Sequence, residues 1–351
     1  MRSLPLRVLL LFFLVCLSGI TIASLLFGET APLSCADLAR GLLALFGSAE
    51  QIPQQAVFEL RLWRSLVVIA VGASLALAGA LLQGLFRNSL ASPSLLGVSA
   101  GASLGATLAV LLRAEPGPAF LVGSSRAVSL LVPLCAFAGA TLITSLVFLW
   151  MLRPGPRSLS TLLLVGVALT SLCGGISAML LSFALDYGDV SRAIVEWGFG
   201  TFEDRSPDHV LIVWTALAAG SLSLPFLHRE LDLLAMGEAD AQSLGVRPRV
   251  VRMQVVLLSS LLTAAAVSVA GQIAFVGLII PNLVRALVGP GHGRLLPLAS
   301  LTGAAFLLGL DAVQKTWAAN LGLRPGILMS LVGAPFFLLL LLRARKELGT
   351  W

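Results

Sequence analysis

Charge is scarce in this chain. Charged residues make up 11% of 351 and hydrophobic residues 58%, whereas a soluble domain averages about 25% charged. A surface this apolar excludes a soluble globular protein. Lysine is nearly missing: only Lys315 and Lys346 occur. Neither follows a Gly-x4-Gly pattern, so the chain has no phosphate-binding loop and does not hydrolyse ATP by that route. No His-Glu-x-x-His string occurs, and no metal or nucleophile–base set for an intramembrane enzyme is visible. The histidines (His209, His228, His292) and cysteines (Cys16, Cys35, Cys135, Cys173) are scattered without metal-ligand spacing, so no metal site is expected. The net charge of +6 reads as basic loops on one membrane face, not as a nucleic-acid partner.

What is present is a series of apolar runs. Each is continuous, so a membrane β-barrel, which alternates polar and apolar residues, is excluded. Runs of roughly 17 to 25 residues are long enough to cross a bilayer. Ten are found, at about 8–27, 65–86, 94–112, 127–152, 160–185, 209–227, 253–271, 273–289, 296–314 and 326–342. The expected fold is an all-α polytopic membrane protein of about ten transmembrane helices. Residues 1–351 form one domain. The first run has a basic start like a signal peptide, but it is long enough to span and no small-x-small cleavage site ends it, so it reads as a retained helix. Run seven nearly touches run eight at Gly271-Gln272, where a sharp turn at a membrane face is expected. Pro281 predicts a kinked or short eighth helix.

With the N-terminus inside, fourteen of the 23 Lys and Arg residues fall on inner segments. This favours an N-in, C-in orientation. The outer loops then span about 28–60 and 185–207, the second with a short interfacial helix over Val190–Trp197 and Trp197 at headgroup level. The inner loop spans about 229–252. Within it Glu238–Leu244 predicts a short helix stopped by Gly245. Leu233, Leu234, Met236 and Leu244 are more apolar side chains than a plain solvated connector needs.

Small residues recur at helical spacing. Gly97, Gly101 and Gly105 share one face of the third run, as ordinary tight packing would require. Gly166, Thr170, Ser171 and Gly174 in the fifth run fit either such packing or a pathway or dimer-interface helix. Arg285 and Asp311 sit inside apolar runs. In the expected topology they are roughly 15–20 Å apart in depth, too far to pair. Snorkelling or local partners account for them. Arg61 and Arg64 head the second run.

Five blocks of this sequence, taken in order, resemble the FecCD-type permeases. They are Ala78 to Pro93, Leu96 to Gly101, Gly237 to Val246, Gly271 to Pro281 and Gly333 to Phe337. The resemblance covers about residues 60 to 343. It implies the membrane subunit of a binding-protein-dependent ABC importer for ferric siderophores, haem or cobalamin. A homodimer, or a closely related heterodimer, is implied, with the pathway at the subunit interface and the fifth-run residues beside it. Two cytoplasmic ATPase subunits, carrying the ATP and Mg, would dock on Gly237, Glu238, Ala239, Asp240, Ala241, Leu244 and Gly245. A periplasmic or lipid-anchored substrate-binding protein would dock on the outer face through Arg61, Arg64 and Lys315, read as exposed cations at the mouth. No cofactor is implied in this chain. Two departures stand out: Pro281-Asn282 where the family commonly has Pro-His, and Leu323-Arg324-Pro325-Gly326 in place of Glu-Leu-Pro-x-Gly. The second adds a cation at the mouth. Ferric siderophore is the first expectation for the substrate, haem the second and cobalamin the third. An ion-coupled secondary transporter is the rival class, but it needs buried ionisable groups near the bilayer midplane and repeat symmetry, and neither is evident.

Overall fold

Apolar runs fold as helices because lipid offers backbone amides no partner, and a helix satisfies them within the segment. The computed structural model describes residues 5–27, 33–45, 54–113, 125–152, 159–318 and 322–348. Among these residues there are helices and no strand. In chain order they are α1 (Leu6–Leu26), α2 (Cys35–Leu45), α3 (Gln55–Phe86), a 3-10 turn (Pro93–Leu96), α4 (Val98–Arg113), α5 (Ser125–Leu152) and α6 (Leu159–Ala184). There follow α7 (Gly188–Gly198), α8 (Pro207–Met236), α9 (Glu238–Ser243), α10 (Pro248–Ala270), α11 (Val276–Val288), α12 (His292–Val313), a π-helical turn (Gln314–Ala318) and α13 (Pro325–Leu348).

Each of the ten apolar runs lies on a helix of this series. Seven helices (α1, α3, α5, α6, α8, α10 and α12) are long and apolar enough to cross a membrane. Val98–Arg113, Val276–Val288 and Pro325–Leu339 are shorter apolar helices. Several bounds differ from the hydropathy reading. The helix of the second run begins ten residues earlier, so 55–60 of the expected outer loop is helical. Another part of that loop is α2, while 28–32 and 46–53, with the cations Arg2, Arg153 and Arg157, lie outside the described residues. The inner loop shrinks from 229–252 to the neighbourhood of α9, because α8 continues to Met236 and α10 begins at Pro248. α7 matches the helix expected in the second outer loop. Trp197, however, packs half-buried against the core.

α3 is the axis. It is almost wholly buried from Val67 to Leu85, and α8, α10, α11 and α12 all pack on it. Lipid gives helices no hydrophobic reason to associate, so close backbone packing must do it. Gly72 of α3 lies against the Gly303 carbonyl of α12, and Gly79 against the Gly277 carbonyl of α11. A Cβ at either α3 position would overlap that backbone.

The junction after α10 departs from expectation. Residues 271–275 are non-helical, with Gly271 at φ 74° and Phe275 at φ 65°. This segment does not turn beyond the bundle. Leu75, Gln272 to Phe275 and Gly277 line one small cavity together, and Leu75 lies eleven residues inside the end of α3, or about 16 Å. Where the segment begins, the Thr201 amide donates to the Ala270 carbonyl at 2.8 Å, and beside it the Gly326 amide donates to the Phe199 carbonyl at 2.9 Å. As Pro281 predicted, α11 is short, at 13 residues.

Gly79→Val therefore forces α3 and α11 apart, at a cost of about 1–3 kcal/mol or more. Gly19→Val, where nothing lies within 4 Å, should leave stability unchanged. Thermal unfolding of the two variants in detergent checks the contrast, and equal melting temperatures would contradict the packing account.

Candidate functional site

Three regions carry the residues singled out by sequence: the short helix α9, the open face of α6, and the far end of the bundle around α7.

At α9 the chain leaves α8 through one residue, Gly237, at φ 145° and ψ 150°. A side chain would be strained there. α9 is six residues long, and Gly245 at φ 87° ends it. Ala241 is completely buried and holds the helix to the bundle, its carbonyl accepting from Val246 at 3.0 Å. Glu238, Ala239, Asp240, Leu244 and Gly245 are exposed. The loop's apolar residues divide: Leu234 is buried and Leu233 half-buried, while Met236 and Leu244 project at the tip. Glu238 pairs with Arg252 on α10, a partner that sequence reading missed. Nearby, both the His292 amide and Nδ1 meet Asp232 Oδ1, at 2.9 and 2.6 Å, tying α8 to the start of α12.

The fifth-run residues split. Gly166 packs against the Leu95 carbonyl, and Thr170 Oγ1 donates to the Gly166 carbonyl at 2.8 Å. Those two serve packing inside the chain. Ser171 is exposed, and Gly174 has nothing within 4 Å. They belong to a face with Leu164, Leu172, Met179 and Phe183, all exposed and none charged. Two of the third-run glycines pack as expected: Gly101 meets Gly139 of α5, and Gly105 meets the Cys135 carbonyl. Gly97 does not share their helix face, because it precedes α4 and caps the 3-10 turn at φ 78°. Gly97 to Gly101 also carries the Gly-x-Ser-x-Gly spelling of a hydrolase nucleophile. Ser99 follows a 3-10 turn, not a strand. Its small cavity is lined by Ser92, Ser94, Thr263 and Gln272, with no histidine or carboxylate. No such chemistry is built there.

Arg61, Arg64 and Lys315 correct the expectation of exposed cations. Arg61 is 7% exposed and Lys315 6%. Arg61 Nη1 donates to the Leu25 and Leu26 carbonyls at 2.9 and 3.2 Å, capping the carbonyl end of α1. Arg64 Nη2 meets Asp311 Oδ1 at 2.8 Å and Gln314 Oε1 at 2.8 Å. Lys315 Nζ meets Asp311 Oδ2 at 2.8 Å and donates to Ser24 at 3.2 Å. A carboxylate buried among apolar helices must be compensated. Asp311 thus has its local partners, and Arg285 has Asn282, at 2.9 Å. The i,i+4 spacing of Asp311 and Lys315 was readable from sequence. Arg64, 247 residues away, was not.

Beside this cluster a cavity of about 590 Å³ opens between α6, α7 and the start of α13. Arg324 lines it, but not as a free cation. Its Nη1 donates to Glu203 Oε2 at 2.7 Å, and its Nη2 lies 3.3 Å from Glu196 Oε2. Arg192 Nε reaches the other Glu196 oxygen at 3.0 Å. The hydrogen bond from Arg192, aided by Arg324, holds the Glu196 carboxyl below its usual range, and the hydrogen bond to Glu203 raises Arg324. Burial pulls Arg205 down to about 10, so it stays charged at neutral pH.

The fold and these regions define a polytopic helical transporter subunit with a small protruding helix at one end and a charged mouth at the other. The FecCD transport family model matches residues 11–343. The cobalamin import permease BtuC of Halobacterium salinarum is 40% identical over 82% of this chain and 73% of its own length. The hemin transport permease HmuU of Yersinia pestis is 37% identical over 82% and 83%. A transporter described as of the metal-chelate ABC type, solved facing inward, is similar with a TM-score of 0.79 at 32% identity, over 95% of this chain and 98% of that one. The chain belongs to the FecCD transport family. It is a permease subunit of an ABC importer and a multi-pass protein of the inner membrane.

Asp311→Asn should cost about 3–5 kcal/mol, because it strands two buried cations. Removing charges together, in Asp311→Asn with Lys315→Met and Arg64→Met, should cost clearly less. Thermal melts of both variants decide; equal losses would mean that the cluster is not electrostatic.

Proposed function

We propose that this permease passes an iron chelate, foremost a ferric siderophore, across the inner membrane with energy from two partner ATPase subunits. α9 carries the reading. It is a short helix isolated by two glycines and anchored by Ala241, with Leu244 at its end and Met236 at the end of α8 presented beside it to a partner. The chain has no phosphate-binding loop, so ATP and Mg belong to that partner. Gly237, Glu238, Ala239, Asp240, Ala241, Leu244 and Gly245 form or hold the docking element. On this reading the α9 end faces the cytoplasm, the chain crosses ten times, and both termini lie inside. The cysteine and histidine pattern assigns no metal site to the permease itself.

A second copy of this chain covers the open face of α6. Ser171 and Gly174 then line the pathway on the axis between copies, with Gly166 and Thr170 behind them bracing the helix. The uncharged wall suits a bulky substrate and gives little selectivity, so specificity rests with the substrate-binding protein docked at the α7 end. Arg61, Arg64 and Lys315 act there indirectly, by holding α1, α3 and α12 in place beneath the docking surface. Haem is the second reading and cobalamin the third, each transported by a relative at 37–40% identity. A secondary transporter is disfavoured because Asp311, the one buried carboxylate among the described residues, is committed to two cations.

Gly237→Val should abolish ATP-driven uptake, by tenfold or more on the order of a lost conformational step, in a reconstituted complex that still folds. Unchanged uptake would contradict a coupling role for α9. Titrating the cognate binding protein with ferric siderophore, haem and cobalamin identifies the substrate, and tightest binding of haem or cobalamin would displace the siderophore reading.

A further inference from the structure

The two glycines flanking α9 pose a mechanical problem. Gly237 is a single extended residue between α8 and α9, and Gly245 bends the chain between α9 and α10. A glycine joint transmits torque poorly, because its backbone rotates freely. Motion of α9 must therefore enter the bundle through side chains. Ala241 supplies a passive apolar contact. The directional link is the ion pair from Glu238, the first residue of α9, to Arg252, in the second turn of α10. It bridges the Gly245 bend. The pair is partly open to solvent, with Glu238 47% and Arg252 20% exposed at the side chain, and such pairs add little to stability.

α10 is suited to carry a displacement. Every residue from Leu262 to Ala270 is buried, and the helix runs unbroken for 23 residues, about 34 Å. Its far end abuts the C-terminus of α7. The Ala270 carbonyl accepts the Thr201 amide at 2.8 Å, and Gly271 lies so close to the Trp197 carbonyl that a Cβ would overlap it. A rigid rod held at one end by Glu238 and in backbone contact with α7 at the other cannot shift without moving α7. The alternative route, through α8, which also packs on α9, passes the Gly237 joint and has, among the described residues, no charged clamp like that of Glu238 and Arg252.

We propose that Arg252 is a positioning residue that clamps α9 to α10, so that movement of the bound ATPase is delivered along α10 to α7 at the opposite mouth. This rests on the importer reading above. Glu238 then acts within the chain in addition to any contact with the ATPase.

The test uses the permease–ATPase complex in lipid nanodiscs, with Cys16, Cys35, Cys135 and Cys173 replaced by alanine and a nitroxide on Asp189→Cys in α7. In a homodimer this gives one distance between the two copies of α7. Trapping with ATP and vanadate should change it on the order of 5 Å, one helical turn. Arg252→Glu and Arg252→Met should each lose that change while the ATPase remains bound and turns over ATP. Arg252→Lys should keep it, which a merely structural role would not predict. The proposal is overturned if Arg252→Glu retains the wild-type change, if Arg252→Lys loses it, or if Arg252→Glu simply releases the ATPase. A wild-type permease that binds no ATPase would overturn the importer reading itself, and this one with it.

Discussion

The contact of α3 with α12 and α11 sets the terms for the rest of this structure. In lipid, two apolar helices gain little by meeting unless their backbones come close enough for dense packing. Gly72 against Gly303 and Gly79 against Gly277 allow that approach. With α3 enclosed on several sides, the middle of the bundle becomes a place where irregular backbone is tolerated. Residues 271–275 use it: they unwind beside the interior of α3, where the bundle shelters irregular backbone from lipid. The short α11 follows directly, because its N-terminus starts inside the bundle instead of at its edge.

The polar groups obey the same rule. Asp311 is buried, so Arg64 and Lys315 gather on it, with Gln314 accepting from Arg64 and Ser24 from Lys315, and helices α1, α3 and α12 are joined as a result. At the other end Asp232 holds the start of α12 to α8, and Glu238 holds α9 to α10. Each of these links joins separate helices. The uncharged outer face of α6 is the counterpart. Leu164, Leu172, Met179 and Phe183 are exposed there and none carries charge.

The composition and the continuous apolar runs located every major helix, since hydrophobic length is a local property of the chain. Glu238 to Gly245 was legible for a similar reason: helix propensity and a glycine stop act over a few residues. The short α11 was foreseen from Pro281. Where local reasoning failed, the missing quantity was distance in space. Arg61, Arg64 and Lys315 look like exposed cations in a sequence, because nothing local shows that Asp311 or the end of α1 lies against them. Arg324 looks like an added free charge until Glu196 and Glu203 are brought beside it.

The sequence by itself determined that this chain lives in lipid as a bundle of helices, that it carries no ATP-hydrolysing loop of its own, and that it offers a small helix between two glycines. Those follow from residue types and spacings along a few turns of chain. Only the tertiary structure decided which charges are neutralised, which glycines are seams and which face open space, and that the turn after α10 is buried. These outcomes depend on contacts between residues as much as 291 positions apart, and one-dimensional order does not encode such proximity in any local pattern.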